Sequence, residues 1–400
     1  MVDDQTTGTS WVDRVSRDEI VDVGVELVSI PSVSGDEYEI MQFVKRWLDE
    51  HGISWVETAN DPKRPNIIAT VGDPSKGPII AMNGHLDVVP VSDASSWKTD
   101  PFEGVVSEDG ERIYGRGASD MKTSVGVMMT MLDLFKDAPL KGALQAHIVS
   151  DEETSAKFGT KHVLAEIEKG NLPRPDYVFI GEGSEHKVRN AERGGLAVRV
   201  TFLGKASHTA AARAGGINAL QKAAKGILAL EHHLEQFHPA VGHPVLSVNM
   251  IEAGIAHNVV PGEATISIDR RLIPGEDKES AVADIRAKLD AIAAEDPDFR
   301  YELDIDPDGS YIAPNITPED SPLVQAFQKS IRTLTGEEPE FFVQWAGMTD
   351  GRFYRQHGMD TVGMGPRGEG AHGANESIAI DDLVKQAKIY ALTIADLLQV

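Results

Sequence analysis

The chain has 400 residues, 41% of them hydrophobic, with 38 Lys and Arg against 63 Asp and Glu and a formal charge of −25. That length is too great for one ordinary core and implies two domains; the charge argues against a nucleic-acid partner, whose phosphates it would repel. No apolar run approaches the roughly 18 residues of a membrane span, and without cysteine any metal must be held by nitrogen and oxygen donors.

The dense negative charge suits a salt-rich, halophilic interior, where screening makes it tolerable. The start, Met1-Val2-Asp3-Asp4-Gln5-Thr6, lacks a basic and then apolar leader pattern, so a cytoplasmic location is expected. Ile20, Val21, Val25 and Val28 predict a helix over Asp18–Val28, stopped by Pro31. Ser34 is placed to cap a second helix through His51, with Gly52 beyond it. Asn66–Val71 and Pro78–Met82 read as short buried strands, Met121–Phe135 as a helix entered from a Gly-rich loop, and Ala143–Val149 as another strand. Such alternation predicts an α/β sandwich with a largely parallel sheet.

From about Glu192 the texture changes. Strand Leu196–Leu203, helix Gly216–Glu235, strands Val245–Glu252 and Thr265–Arg271, and helix Lys278–Ala294 form a self-contained α+β unit. Helices over Pro322–Leu334 and Ile380–Leu398 then return to the first domain. The predicted division is therefore 1–191 and 308–400 for one domain and 192–307 for a domain inserted into it.

The chemistry lies at the strand ends. His85 and Asp87, in Gly84-His85-Leu86-Asp87, point to one side, so His85 can ligate a metal while Asp87 orients its ring. Asp120 follows Gly115 and Gly117, which permit a tight loop; it reads as a carboxylate bridging two cations, as the N-cap of the following helix, or as both. Glu152 and Glu153 follow a strand and can divide the labour, Glu153 as ligand and Glu152 as general acid/base. Glu182, after Tyr177–Ile180, and His372, between Ala371 and Gly373, complete the set. Three carboxylates against two divalent cations leave one positive charge, which a hydroxide cancels, and this predicts a two-metal hydrolase. Other patterns are weaker. His232, His233 and His238 lack metalloprotease order and read as a solvated helix face, Met121, Met128, Met129 and Met131 as core, and Gly347-Met348-Thr349-Asp350-Gly351 lacks the serine of a nucleophile elbow.

Taken in order, these motifs resemble the M20 metallopeptidase family over about Asp18 to Leu398. The resemblance implies a di-zinc catalytic α/β/α sandwich interrupted by an α+β, ferredoxin-like dimerisation domain, hence a homodimer. Two zinc ions are implied, with cobalt or manganese also compatible. His85 and Glu182 would share one ion, Glu153 and His372 the other, with Asp120 between them and a cis peptide after it. It further implies that His208, in Gly204-Lys205-Ala206-Ser207-His208, stabilises an oxyanion in the partner's site, and that Asn258, Arg271 and Thr349 contact substrate. An N-acyl amino acid is the implied substrate, of the succinyl-diaminopimelate or acetylornithine type. A carboxypeptidase or dipeptidase activity and a non-catalytic metal-binding dimer are the alternatives.

Overall fold

The computed structural model describes residues 10–343 and 347–400, and the residues read above for a leader lie outside them. The chain divides into two compact units, one of Met1–Asn190, Thr317–Phe342 and Met348–Val400, the other of Ala191–Ile316 and Val343–Gly347. Among the described residues no helix is long and apolar enough to cross a membrane.

The first unit is built on a six-stranded sheet in the order Ser54–Thr58, Asn66–Gly72, Ala143–Val149, Ile79–His85, Tyr177–Ile180, Asp360–Gly363. The last four run parallel, and the first two continue the sheet antiparallel. Every residue of Ile79–His85 and of Ala143–Val149 is buried, as expected of parallel strands covered on both faces. The strand predicted to stop at Met82 runs on to His85, because His85 pairs with Val149 of its neighbour. Helices Arg17–Ser29, Tyr38–Glu50, Lys122–Phe135, Pro322–Thr335 and Ile380–Leu397 bury their apolar stripes in this unit. Met121, Met128, Met129 and Met131 belong to its core. So does Phe179, whose ring meets Phe327 edge-on at 4.7 Å and Tyr390 at 5.2 Å.

Two local expectations are corrected. Ser34 caps no helix: the second helix starts at Tyr38 after Glu37, and the Ser34 hydroxyl donates instead to Asp87 Oδ2 at 2.7 Å. Asp120 is not the cap of helix Lys122–Phe135 either; Met121 holds that position without a side-chain hydrogen bond, leaving the Asp120 carboxylate for other contacts.

The second unit holds a four-stranded antiparallel sheet, Val245–Ala253, Glu263–Leu272, Gly194–Leu203, Arg300–Ile305. Helices Ala219–Leu230 and Lys278–Glu295 pack on its apolar face around Phe202, Ile266 and Leu289. The first of these is shorter than its periodicity suggests. Asn218 caps it, accepting from the N–H groups of Leu220 and Gln221, and Glu231 ends it by turning its carboxylate to the Val248 N–H at 2.7 Å. His232 and His233 consequently follow the helix and do not ride on its face.

Candidate metal centre

The polar residues gather where parallel strands end. His85 closes the strand Ile79–His85, Glu152 and Glu153 follow Ala143–Val149, and Glu182 follows Tyr177–Ile180. The neighbours of Ile79–His85 lie on opposite sides of it, the switch point at which open α/β sheets bind ligands. Gly117, at φ +85°, shapes the loop that brings in Asp120; a Cβ there would lie 2.8 Å from Val88 and Lys122 side-chain atoms. The peptide between Asp120 and Met121 is cis.

Asp120 turns its two oxygens to different imidazoles. Oδ1 lies 3.2 Å from His85 Nε2, and Oδ2 lies 3.3 Å from His372 Nε2. His372 Nε2 is also 3.0 Å from Glu153 Oε1. Ligand atoms of His85, Asp120 and Glu153 fall within 4.8 Å of one another, compact enough to hold a divalent cation. The set is nitrogen and oxygen only, which suits zinc, cobalt or manganese. His372 touches two members of the cluster from its rim, while Glu182 stands outside it, buried, with its charge felt at Glu152.

Behind this cluster Asp87 is fully buried and organises both sides. Its Oδ1 accepts from the Glu152 N–H at 3.0 Å and its Oδ2 from the Glu153 N–H at 3.2 Å. The His85 ring is held through Nδ1, but the nearer acceptor is the Asp87 carbonyl at 3.0 Å, against 3.5 Å for the carboxylate. The expected carboxylate-to-ring contact is therefore secondary, because the carboxylate is engaged by two N–H groups and Ser34.

The site's electrostatics demand positive charge. For Glu152, burial and then the charge of Glu182 drive the carboxyl well above its ordinary range. Burial also raises Glu153. Burial opposes ionisation of Asp120, but hydrogen bonds from His372 and His85 outweigh it and hold this carboxyl below the usual range. On His85 burial resists a proton, yet Asp120 and Asp87 raise its pKa well above normal. Asp120 likewise pushes His372 up to about 9. A divalent cation would answer the same demand.

Several site residues carry no sequence signal of their own. Asp350 is buried, accepts from Thr160 Oγ1 at 2.7 Å, and is raised to about 6 by burial. Arg64 spans Glu37 and Asp151, the residue before Glu152, at 2.7 and 2.8 Å. Lone charged residues of this kind are invisible until the fold brings them together.

Of the residues implied for substrate, Thr349 is buried in the first unit, its hydroxyl accepting from the Gly351 N–H at 3.1 Å. The rest lie in the second unit. His208 pairs with Val259, its Nδ1 accepts from the Ala210 N–H at 3.2 Å, and the next N–H, of Thr209, donates to the Asn258 carbonyl at 3.0 Å. His208 and Asn258 are thus neighbours. Arg271 donates to Asp269 at 2.8 Å, two residues earlier on the same strand face.

His85 and Glu153 at the ends of parallel strands, with Asp120 brought in by the Gly117 loop and Glu152 alongside, form a donor set that suits a metal-dependent hydrolase. Residues 81–396 match the family model described as Peptidase family M20/M25/M40. The succinyl-diaminopimelate desuccinylase of Hydrogenovibrio crunogenus is 30% identical over 95% of this chain and 99% of its own length. That of Pseudomonas syringae pv. syringae is 31% identical over 93% and 96%. The YXEP protein of Bacillus subtilis, a dinuclear metal-binding peptidase of the M20 family, superposes with a TM-score of 0.71 at 20% identity, over 98% of this chain and 99% of its own. The chain belongs to the M20/M25/M40 peptidase family, and it is a metal-dependent hydrolase acting on amide bonds.

Proposed function

We propose that the protein removes the succinyl group from N-succinyl-diaminopimelate, using two divalent cations held by His85, Asp120, Glu153, Glu182 and His372. One observation carries the reading: Asp120 faces His85 with one oxygen and His372 with the other, which suits a carboxylate shared between two ions. Curated desuccinylases that align over nearly the whole chain favour this substrate over acetylornithine or a peptide.

Bound cations supply Lewis acidity for the scissile carbonyl and acidify water. The remaining work falls to side chains. Glu152, whose proton affinity burial and the charge of Glu182 raise, takes a proton from the attacking water as the new C–O bond forms. It returns that proton to the leaving nitrogen as the C–N bond breaks, giving a carboxylate and a free amine. His208 steadies the oxyanion across a homodimer, and Asn258, Arg271 and Thr349 hold the substrate, an Arg fork being suited to a carboxylate. The strand Val245–Ala253 supports such a dimer, since it is a sheet edge with Met250 and Ile251 exposed.

The test is amine release from a panel before chelation, after it, and after zinc is restored. The panel holds N-succinyl-diaminopimelate, N-acetylornithine, other N-acyl amino acids and dipeptides. Zinc-restored cleavage of the succinyl compound above all others is expected. Preference for a dipeptide would refute the substrate assignment.

A further inference from the structure

Four residues beyond His372, Glu376 is buried inside the first unit, where an ionised side chain needs full compensation. Its Oε2 accepts from Arg116 Nη1 at 2.5 Å and from the Gly117 N–H at 3.0 Å. Its Oε1 accepts from the Ser119 N–H at 2.8 Å and the Asp120 N–H at 3.0 Å. The Glu376 carbonyl adds a bond from the Gly115 N–H at 3.0 Å. One residue thus takes four of the six backbone N–H groups from Gly115 to Asp120.

The grip closes a ring. Asp120 is tied by its N–H to Glu376; the chain runs back from Glu376 to His372; and His372 Nε2 meets the Asp120 carboxylate at 3.3 Å. His372 and Asn375 sit at φ 62° and 58°, in the left-handed region that His and Asn enter more readily than most side chains. Asn375 is held from outside, accepting from the Lys98 N–H at 2.7 Å and donating to the Ser96 carbonyl at 3.1 Å. Glu376 supplies the corresponding tie to the Asp120 loop.

We infer that Glu376 is a positioning residue of the metal centre, a clasp that sets the Asp120 loop and the His372 loop in register before metal arrives. The inference rests on the proposed metal centre. A carboxylate is needed because it only accepts: three N–H groups and a guanidinium converge on it, and an amide would turn its own NH2 towards a donor.

The test strips the full chain of metal and titrates zinc against a competing chelator in wild type, Glu376→Gln and His85→Ala. Glu376→Gln is expected to weaken zinc binding by about 10–100-fold, the usual cost of losing a group that holds a ligand in place. The visible spectrum of the cobalt form should change with it. An unchanged zinc affinity and cobalt spectrum, with only a lower melting temperature, would mean a merely structural role and overturn the inference. Should Glu376→Gln not fold, hydrogen exchange on metal-free wild type decides instead. The amides of Gly117, Ser119 and Asp120 should exchange slowly as a group, and rapid exchange there would overturn the clasp. If His85→Ala binds zinc like wild type, the metal-centre reading fails, and the same exchange measurement still judges the clasp.

Discussion

Replacing Arg64 by methionine keeps the bulk of the side chain and removes its charge. The guanidinium Nε lies 3.1 Å from both Glu37 oxygens, and Nη2 lies 2.7 Å from Glu37 and 2.8 Å from Asp151. Glu37 and Asp151 are buried almost completely, so the substitution deprives two interior carboxylates of their cation, leaving Glu37 the Gly35 N–H and Asp151 the Phe158 N–H and the Thr154 hydroxyl. Breaking a buried pair by removing one partner costs about 3–5 kcal/mol. Burial already raises the Glu37 pKa, and the Arg64 hydrogen bond restrains that rise. Without Arg64 the carboxyl climbs further, protonates more readily, and escapes part of the penalty in acid. The deficit should therefore be largest near pH 8 and shrink towards pH 5. Urea unfolding of chelated protein, followed by the fluorescence of Trp47 and Trp55 in the same unit, measures it. Adding Glu37→Gln to Arg64→Met should recover part of the loss. A deficit below about 1 kcal/mol at pH 8, or one independent of pH, would mean that Arg64 does not compensate these carboxylates.

Other consequences are open to direct measurement. In metal-free protein His372 titrates at about 9 where an ordinary imidazole titrates at 6.5, so the stability from its proton is complete below 6.5 and lost as pH rises through 9. The melting temperature of chelated protein should fall across that interval, and His372→Ala should flatten the fall. Phe179→Ala empties an aromatic junction with Phe327 and Tyr390 and should cost about 3–5 kcal/mol by denaturant unfolding. With a formal charge of −25, the chain should unfold at a higher midpoint in multimolar salt than in dilute buffer. An unchanged midpoint would remove the case for salt adaptation.

What the sequence reveals depends on how local the cause is. Strand Ala143–Val149 is legible to the residue because a continuous apolar run has one destination. The acids and imidazoles after such runs are legible because strand ends are where a parallel sheet can present chemistry. Ser34 misleads for a physical reason: its hydroxyl suits a helix cap, and only the fold reveals Asp87 as a stronger acceptor within reach. Glu231 ends a helix that periodicity alone would extend, since its carboxylate finds an N–H on a distant strand. Arg64, Asp350 and Glu376 are single charged residues whose partners lie far along the chain. No spacing rule marks them, and they become meaningful only once two loops meet.

On the proposed function, Glu152 moves protons beside a two-metal cluster that it does not help to hold. Zinc titration of chelated wild type and of Glu152→Gln, with metal content and hydrolysis of N-succinyl-diaminopimelate read on the same samples, tests it most directly. Two equivalents of zinc bound by both proteins, with turnover only in wild type, is the predicted result. Turnover retained in Glu152→Gln, or loss of its metal along with its activity, would exclude that role for Glu152.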